Sequence, residues 1–289
     1  HLQINIRDIR SVPPQEINQE DFLPHSAQDI DTMYSELLEL CRQELKNPFV
    51  KQLILSVLED PDLIPAFKRA PAAKSNHHAW VGGLLEHVLK LCKVGRDVLR
   101  HYPEVQPDLV LAGLILHDFG KIQELTAERS FEYSDKGQLV GHMMIGIEII
   151  LKKSSQISGF PDKILHHLEH IILSHHGFLE YGSPKEPMTL EALMVHHLDN
   201  MDSKLQGFLD VLARETAGDS AWSAPNFLFK RPLYKKAMED LGQEPRKPQA
   251  VAVKKKPTPK PEKRPRPKGP LKTNLGEVLS QQLKSRSGN

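Results

Sequence analysis

Two cysteines in 289 residues, Cys41 and Cys92, are too few for a disulfide framework. Both lie in helix-like text, and a reducing, cytoplasmic setting is the expectation. Aromatic residues are scarce, with 2 Trp and 5 Tyr, and only 17 glycines punctuate the chain, which argues against an all-β fold. No run of 18 apolar residues occurs, so no membrane partner is expected. The opening HLQINIRDIR has neither an initiator methionine nor a charged-then-apolar leader, and reads as the continuation of a longer chain. What is present, 39% apolar and 26% charged residues, suits a globular core.

Cations are missing from most of the chain and concentrated at its end. Residues 246–289 carry 13 Lys or Arg against Glu262 and Glu277, which leaves 25 basic and 35 acidic residues before them. The body is therefore near −10 and the tail near +11. The tail text KKKPTPKPEKRPRPKGP is rich in Pro and Lys and poor in apolar residues, so 243–289 is expected to be a disordered arm. Such an arm is either solvated or a contact for phosphate backbones.

Near the start, Leu2, Ile4 and Ile6 alternate with polar residues, as in one strand, whose pairing partners must lie upstream. The text VPPQEINQEDFLPHS reads as a linker, so 1–25 is set apart from a body at 26–242. From Ser26 onward the periodicity is helical: 28–46, Pro48 to Leu58, 82–102, Asp108 (as a cap) to Phe119, 138–153, 162–176, 189–215 and 230–241. The stretch ERSFEYSDKG is a loop or short hairpin. Helix follows helix with no βαβ rhythm, which predicts an all-α bundle.

Fifteen histidines punctuate this bundle, and their positions carry the chemistry. His87 lies on the face of Leu84, Val88 and Leu91; His142 on that of Ile145 and Ile149; His175 continues Ile164, Leu168 and Ile171. His117 and Asp118 end the apolar run LAGLIL, and Asp199 follows Ala192 and Val195. One histidine on an apolar face is ordinarily a satisfied core residue. Six such residues on successive helices would each need a separate buried partner, whereas one metal centre satisfies them all. His176 adjoins His175 at a helix end stopped by Gly177. Imidazole and carboxylate donors without thiolates suit Mn, Fe, Co, Ni or Zn.

The order His87, His117-Asp118, His142, His175-His176, Asp199 resembles that of the HD superfamily of metal-dependent phosphohydrolases. The texts NHHAWVGGLLEHVLKL, AGLILHDFGKIQEL, GQLVGHMMIGIEII, IILSHHG and VHHLDNMDSK look most like the YhaM-type 3′-5′ exoribonucleases, in which an OB-fold precedes the HD domain. The likeness covers about residues 1–235. It implies that the initial strand and the DFLP linker are the exit from that OB-fold, most of which this chain lacks. It also implies two divalent metal ions, one on His87, His117, Asp118 and Asp199, the other on Asp118, His142, His175 and His176. Asp118 would bridge them, and a water between them would be the nucleophile.

By the same resemblance His78 sits at the mouth of the site, able to bind phosphate or protonate the leaving oxygen, with Asn76 and His77 beside it. Lys121, a turn past His117, would touch a phosphate oxygen or simply be solvated. Arg69 and Lys74 read more readily as solvated cations than as substrate contacts. Asp202 reads as a support or a surface charge; His166, His167, His170, His196 and His197 as bystanders or supports. The expected function is a metal-dependent phosphodiesterase removing nucleotides from the 3′ end of RNA or short single-stranded nucleic acid. The same centre would serve a small-nucleotide or cyclic-dinucleotide phosphohydrolase, although GFLEYGSP after His176 lacks the Gly-Tyr-Pro signature of cyclic di-GMP hydrolases. A third reading is a non-catalytic RNA-binding module. If the arm contacts RNA, deleting 246–289 weakens binding about equally for all sequences and flattens the salt dependence of log affinity. Salt titrations of full-length and shortened protein check this, and identical slopes would leave the arm a solvated or protein-binding segment.

Overall fold

Asp29 turns an extended entry segment into the first helix, its carboxylate accepting from the Thr32 amide at 2.9 Å. The computed structural model describes residues 11–13, 22–74, 78–127, 130–215, 220–226 and 228–235. The strand expected at residues 1–12 lies almost wholly outside them, as do Asn76, His77 and the basic arm.

Helix α1 (Ile30–Glu44) buries Met33, Leu37, Leu40 and Cys41. Helix α2 (Pro48–Leu58) has the bounds its sequence predicts: Asn47 accepts from the Phe49 and Val50 amides, and Pro48 stands where no amide hydrogen is needed. The short α3 (Ile64–Arg69) has no counterpart in the sequence reading, since six residues show too little of a period. Then come α4 (Gly83–Leu99) and α5 (Pro107–Leu116).

Asp108 does not cap α5 as expected. The helix starts one residue earlier, and the Asp108 carboxylate accepts from the Lys46 and Asn47 amides, each at 2.8 Å, fastening the corner between α1 and α2. The start of α5 is served from elsewhere in the chain, by Glu191 accepting from the Gln106 amide at 3.0 Å.

After α6 (Lys121–Glu124) the chain forms a hairpin of β1 (Leu125–Ala127) and β2 (Phe131–Tyr133), with Leu125 opposite Tyr133 and Ala127 opposite Phe131. One helix was expected over 138–153, but there are two, α7 (Asp135–Leu139) and α8 (His142–Ser154). Gly141 separates them at φ +79°, a backbone conformation that side chains disfavour. Helices α9 (Asp162–Ser174) and α10 (Leu190–Arg214) complete the bundle. The helix expected over 230–241 is absent from its described part. Ser223 and Leu233 instead exchange hydrogen bonds across an extended pairing, and Pro232 has no amide hydrogen to give a helix.

The architecture is thus an all-α bundle with one small hairpin, and among the described residues no helix is long and apolar enough to cross a membrane. At its centre α5 is apolar on every side, with Val110 to Leu116 all buried, and it packs against α2, α4, α9 and α10. A small second cluster joins Leu23 and Val81 to Phe131, tying the entry segment to the hairpin. Within α5, a Cβ on Gly113 would stand 2.7 Å from Ile171 Cγ2 and 3.0 Å from Val195 Cγ2. Gly113→Val should therefore overpack the joint with α9 and α10 and destabilise the protein by about 1–3 kcal/mol, read from the urea midpoint.

Candidate metal centre

The bundle brings several helix ends to one place. His117 and His175 are the capping residues at the C-termini of α5 and α9, and His142 is the first residue of α8. His87 projects from the first turns of α4, Asp199 from the middle of α10, and Asp118 and His176 follow directly on the α5 and α9 caps. A close approach sets this geometry: a Cβ on Gly120 would lie 2.0 Å from the His142 carbonyl oxygen, so only glycine lets the turn after His117-Asp118 sit on the start of α8.

The imidazoles form a chain. Ring centroids lie 5.6 Å apart for His87 and His117, 5.0 Å for His117 and His175, and 5.5 Å for His175 and His142. His176 is 4.3 Å from His175 and 5.3 Å from His142. Among the described residues three groups have donor atoms within 4.8 Å of one another: His87, His117 and Asp199; His142, His175 and His176; and, behind the first, His78, His87 and Asp202. Asp118 faces the first two. Its Oδ2 is 3.3 Å from His117 Nε2, and its Oδ1 is 3.5 Å from His142 Nε2 and 3.6 Å from His175 Nε2. Asp199 Oδ1 stands 3.2 Å from His87 Nε2 and 3.8 Å from His117 Nε2.

The outer nitrogens explain how these rings are held. Nδ1 of His117, His175 and His176 faces the carbonyl oxygens of Leu114, Ile172 and Tyr181 at 3.1, 2.7 and 3.1 Å. A carbonyl can only accept, so each Nδ1 carries the hydrogen and each Nε2 presents a lone pair. His142 Nδ1 meets Glu124 Oε1 at 3.0 Å, and His87 Nδ1 meets Asp202 Oδ2 at 2.8 Å. All five rings thus turn Nε2 toward the centre. There the Nε2 atoms of His117, His142 and His175, and Oδ1 of Asp118, are buried with no hydrogen-bond partner among the described residues. Four lone-pair atoms facing one another and unsatisfied are a poor fit to a closed core and a good fit to a cation.

Charge points the same way. Burial alone would raise the Asp118 carboxyl, but Lys121, His117 and His175 outweigh it and hold the group well below the usual carboxylate range. Asp199 and Asp202 are likewise raised by burial and held low by histidines. His176 is pushed down to about 3, first by burial and then by His175 and His142, so it is a neutral donor. Burial lowers His87, yet Asp199 and Asp202 lift it to about 9. The negative field that keeps a proton on His87 is the field a metal ion would take over, with release of that proton.

Every histidine and aspartate singled out as a ligand is in this cluster. Lys121 is there too, with its ammonium on Asp118 Oδ2 at 2.7 Å. His78 is not at a mouth: it is buried, its Nε2 lies on Asp202 Oδ2 at 3.1 Å, and it lines neither cavity beside the centre. Asp202 is a support, holding His87, His78 and Lys90 together. Glu124 escaped the sequence reading altogether. Its Oε1 accepts from the amide as well as the ring of His142, a pairing 18 residues apart that no local pattern reveals. His196, read as a bystander or a support, is a support: it is buried with its Nδ1 on the His175 carbonyl. Cavities of about 410 and 440 Å³ flank the cluster. The first opens between Tyr181, Asn200 and Ser203, the second between Lys74, Leu125 and Tyr133, and Lys121 and His176 line both.

Comparison with known proteins agrees with this picture. The HD domain family matches residues 84–204, a span that holds all seven clustered ligands. The chain is 34% identical over 238 residues to the 3′-5′ exoribonuclease YhaM of Bacillus subtilis (strain 168), covering 81% of this chain and 74% of that protein. It is 33% identical over 241 residues to the YhaM of Bacillus licheniformis, at the same coverage, and 35% identical over 204 residues to that of Bacillus pumilus, covering 70% and 64%. No solved structure matches.

If Asp202 orients His87 for a metal, Asp202→Ala should weaken metal affinity by roughly 10–100-fold, read by titrating chelator-treated protein with Mn²⁺ or Zn²⁺. Metal should also raise the melting temperature of the wild type more than that of the variant.

Proposed function

We propose that this protein, because it belongs to the HD-domain family of the YhaM 3′-5′ exoribonucleases, hydrolyses single-stranded RNA from its 3′ end at a centre built for two divalent transition-metal ions. The observation that carries the reading is the inward orientation of five Nε2 atoms whose Nδ1 partners are fixed, around a carboxylate that divides its oxygens between two ligand sets. His87, His117 and Asp199 would hold one ion and His142, His175 and His176 the other, with Asp118 shared between them.

Bound ions supply Lewis acidity, which makes water a nucleophile near neutral pH and offsets charge on the phosphoryl oxygens. The chain's own groups do the rest. Leu114, Ile172, Tyr181, Glu124 and Asp202 keep each ring from rotating, so the donors need no rearrangement when substrate arrives. Lys121 is a cation already at the floor of both cavities. With an ion on Asp118, its ammonium is free to donate to a non-bridging phosphate oxygen. Addition of water to the terminal phosphodiester breaks the P–O3′ bond, which releases a nucleoside 5′-phosphate and leaves a 3′-hydroxyl on the shortened strand.

Metal analysis of the protein should give close to two transition-metal ions per chain. A labelled oligoribonucleotide should be shortened from its 3′ end in the presence of Mn²⁺ and left intact in chelator. Asp118→Ala should lower that rate by at least about a thousandfold with helical circular dichroism unchanged, because the shared carboxylate touches both sets. His166→Ala, on the exposed face of α9, should keep most activity. A wild-type rate in Asp118→Ala with metal present would refute the proposed geometry.

A further inference from the structure

The hairpin does not belong to the bundle, yet it forms a wall of the larger cavity beside the centre. It follows immediately on α6, which carries Lys121 at one end and Glu124, the holder of His142, at the other. Tyr133 ends β2 opposite Leu125, so the phenol ring is fixed relative to the metal ligands by a two-strand ladder and one turn of helix. The ring is 44% exposed. No other aromatic ring among the described residues packs on it, unlike Tyr181 across the centre, which already meets Phe178 edge-on at 5.6 Å. The Lys74 ammonium lies 5.9 Å from the Tyr133 ring centroid and pairs with Glu132 at the surface. Ala72 and Ala73 line the same cavity with small side chains.

We infer that this cavity is a nucleotide subsite, in which the base next to the cleaved phosphate stacks on Tyr133 and the adjoining backbone phosphate takes Lys74 from Glu132. The inference rests on the exoribonuclease reading for its ligand class, and on the cavity for its place. A volume of about 440 Å³ lies in the range of small-molecule sites and has room for one nucleotide. A π-face accepts any base, which suits an enzyme that removes nucleotides in succession. An exposed Lys–Glu pair contributes little, so exchanging Glu132 for a phosphate costs little. Because the base must leave its own stack to reach Tyr133, the subsite also selects single strands against duplex.

The test is a double-mutant cycle between ring and base, read by equilibrium binding to the full-length protein kept free of metal, so that nothing is cleaved. The probes are a fluorescein-labelled oligoribonucleotide and the same strand with its two 3′-terminal residues abasic. Tyr133→Ala should weaken binding of the intact strand on the order of tenfold and have no effect on the abasic strand. Tyr133→Phe should restore tight binding, and Tyr102→Ala, an equally exposed tyrosine elsewhere on the molecule, should change neither. Equal losses on intact and abasic strands, or no loss on either, would overturn the subsite. Failure of the catalytic reading looks different: the cycle would show its coupling while metal-loaded wild type left the strand uncut.

Discussion

An imidazole has two nitrogens, and burying a ring commits both. Here the fold settles one nitrogen of every central histidine against a carbonyl or carboxylate and directs the other into a shared space. That constraint fixes where helices can end. His117 and His175 each reach back three residues to a carbonyl of their own helix, so α5 and α9 must stop where they do for the rings to converge. Rotating any one ring by half a turn would strand a carbonyl or carboxylate oxygen on one side and place a hydrogen among lone pairs on the other.

The supports are as telling as the ligands. Asp202 and Glu124 are both buried carboxylates, and each binds a histidine contributed by a different part of the chain. Asp202 also holds Lys90 at 2.6 Å. Glu124 sits at the start of α8 and accepts from the His142 amide, so it acts on the helix end and the ring at once. Lys121 completes the balance as a resident cation on Asp118. The ammonium keeps a buried carboxylate acceptable when no metal is present.

Much of this was legible in the sequence because helical period and histidine position coincide. The seven clustered histidines and aspartates could be read from apolar faces and helix ends, and the bounds of α2 from its Asn-Pro start. What escaped depends on contacts between distant segments. Asp108 looks like a cap for its own helix and serves the turn before α2 instead, accepting from the amides of Lys46 and Asn47, more than 60 residues away in sequence. The single helix read over 138–153 is broken at Gly141, and Glu124 holds the amide just beyond it, a contact from 18 residues upstream. His78 was placed at the mouth by resemblance, while burial against Asp202 withdraws it from both cavities. The helix read over 230–241 is absent from its described part, where Leu233 exchanges hydrogen bonds with Ser223 instead. The polypeptide text states periods and ends. It does not state which end meets which.

Helix ends are where a folded chain opens first, because the terminal turns have fewest bonds to lose. Five of the seven clustered residues lie there: His117 and His175 at the caps of α5 and α9, His142 at the start of α8, and Asp118 and His176 just past the caps. A cation held among them acts as a clasp on the parts of the bundle most inclined to fray, while the middle of α5 stays closed by apolar contact alone. Withdrawing the metal would therefore be felt as an unlatching at one pole of the molecule, with its interior still dry. The proposed site of chemistry would, for that reason, also be the place where the protein can breathe.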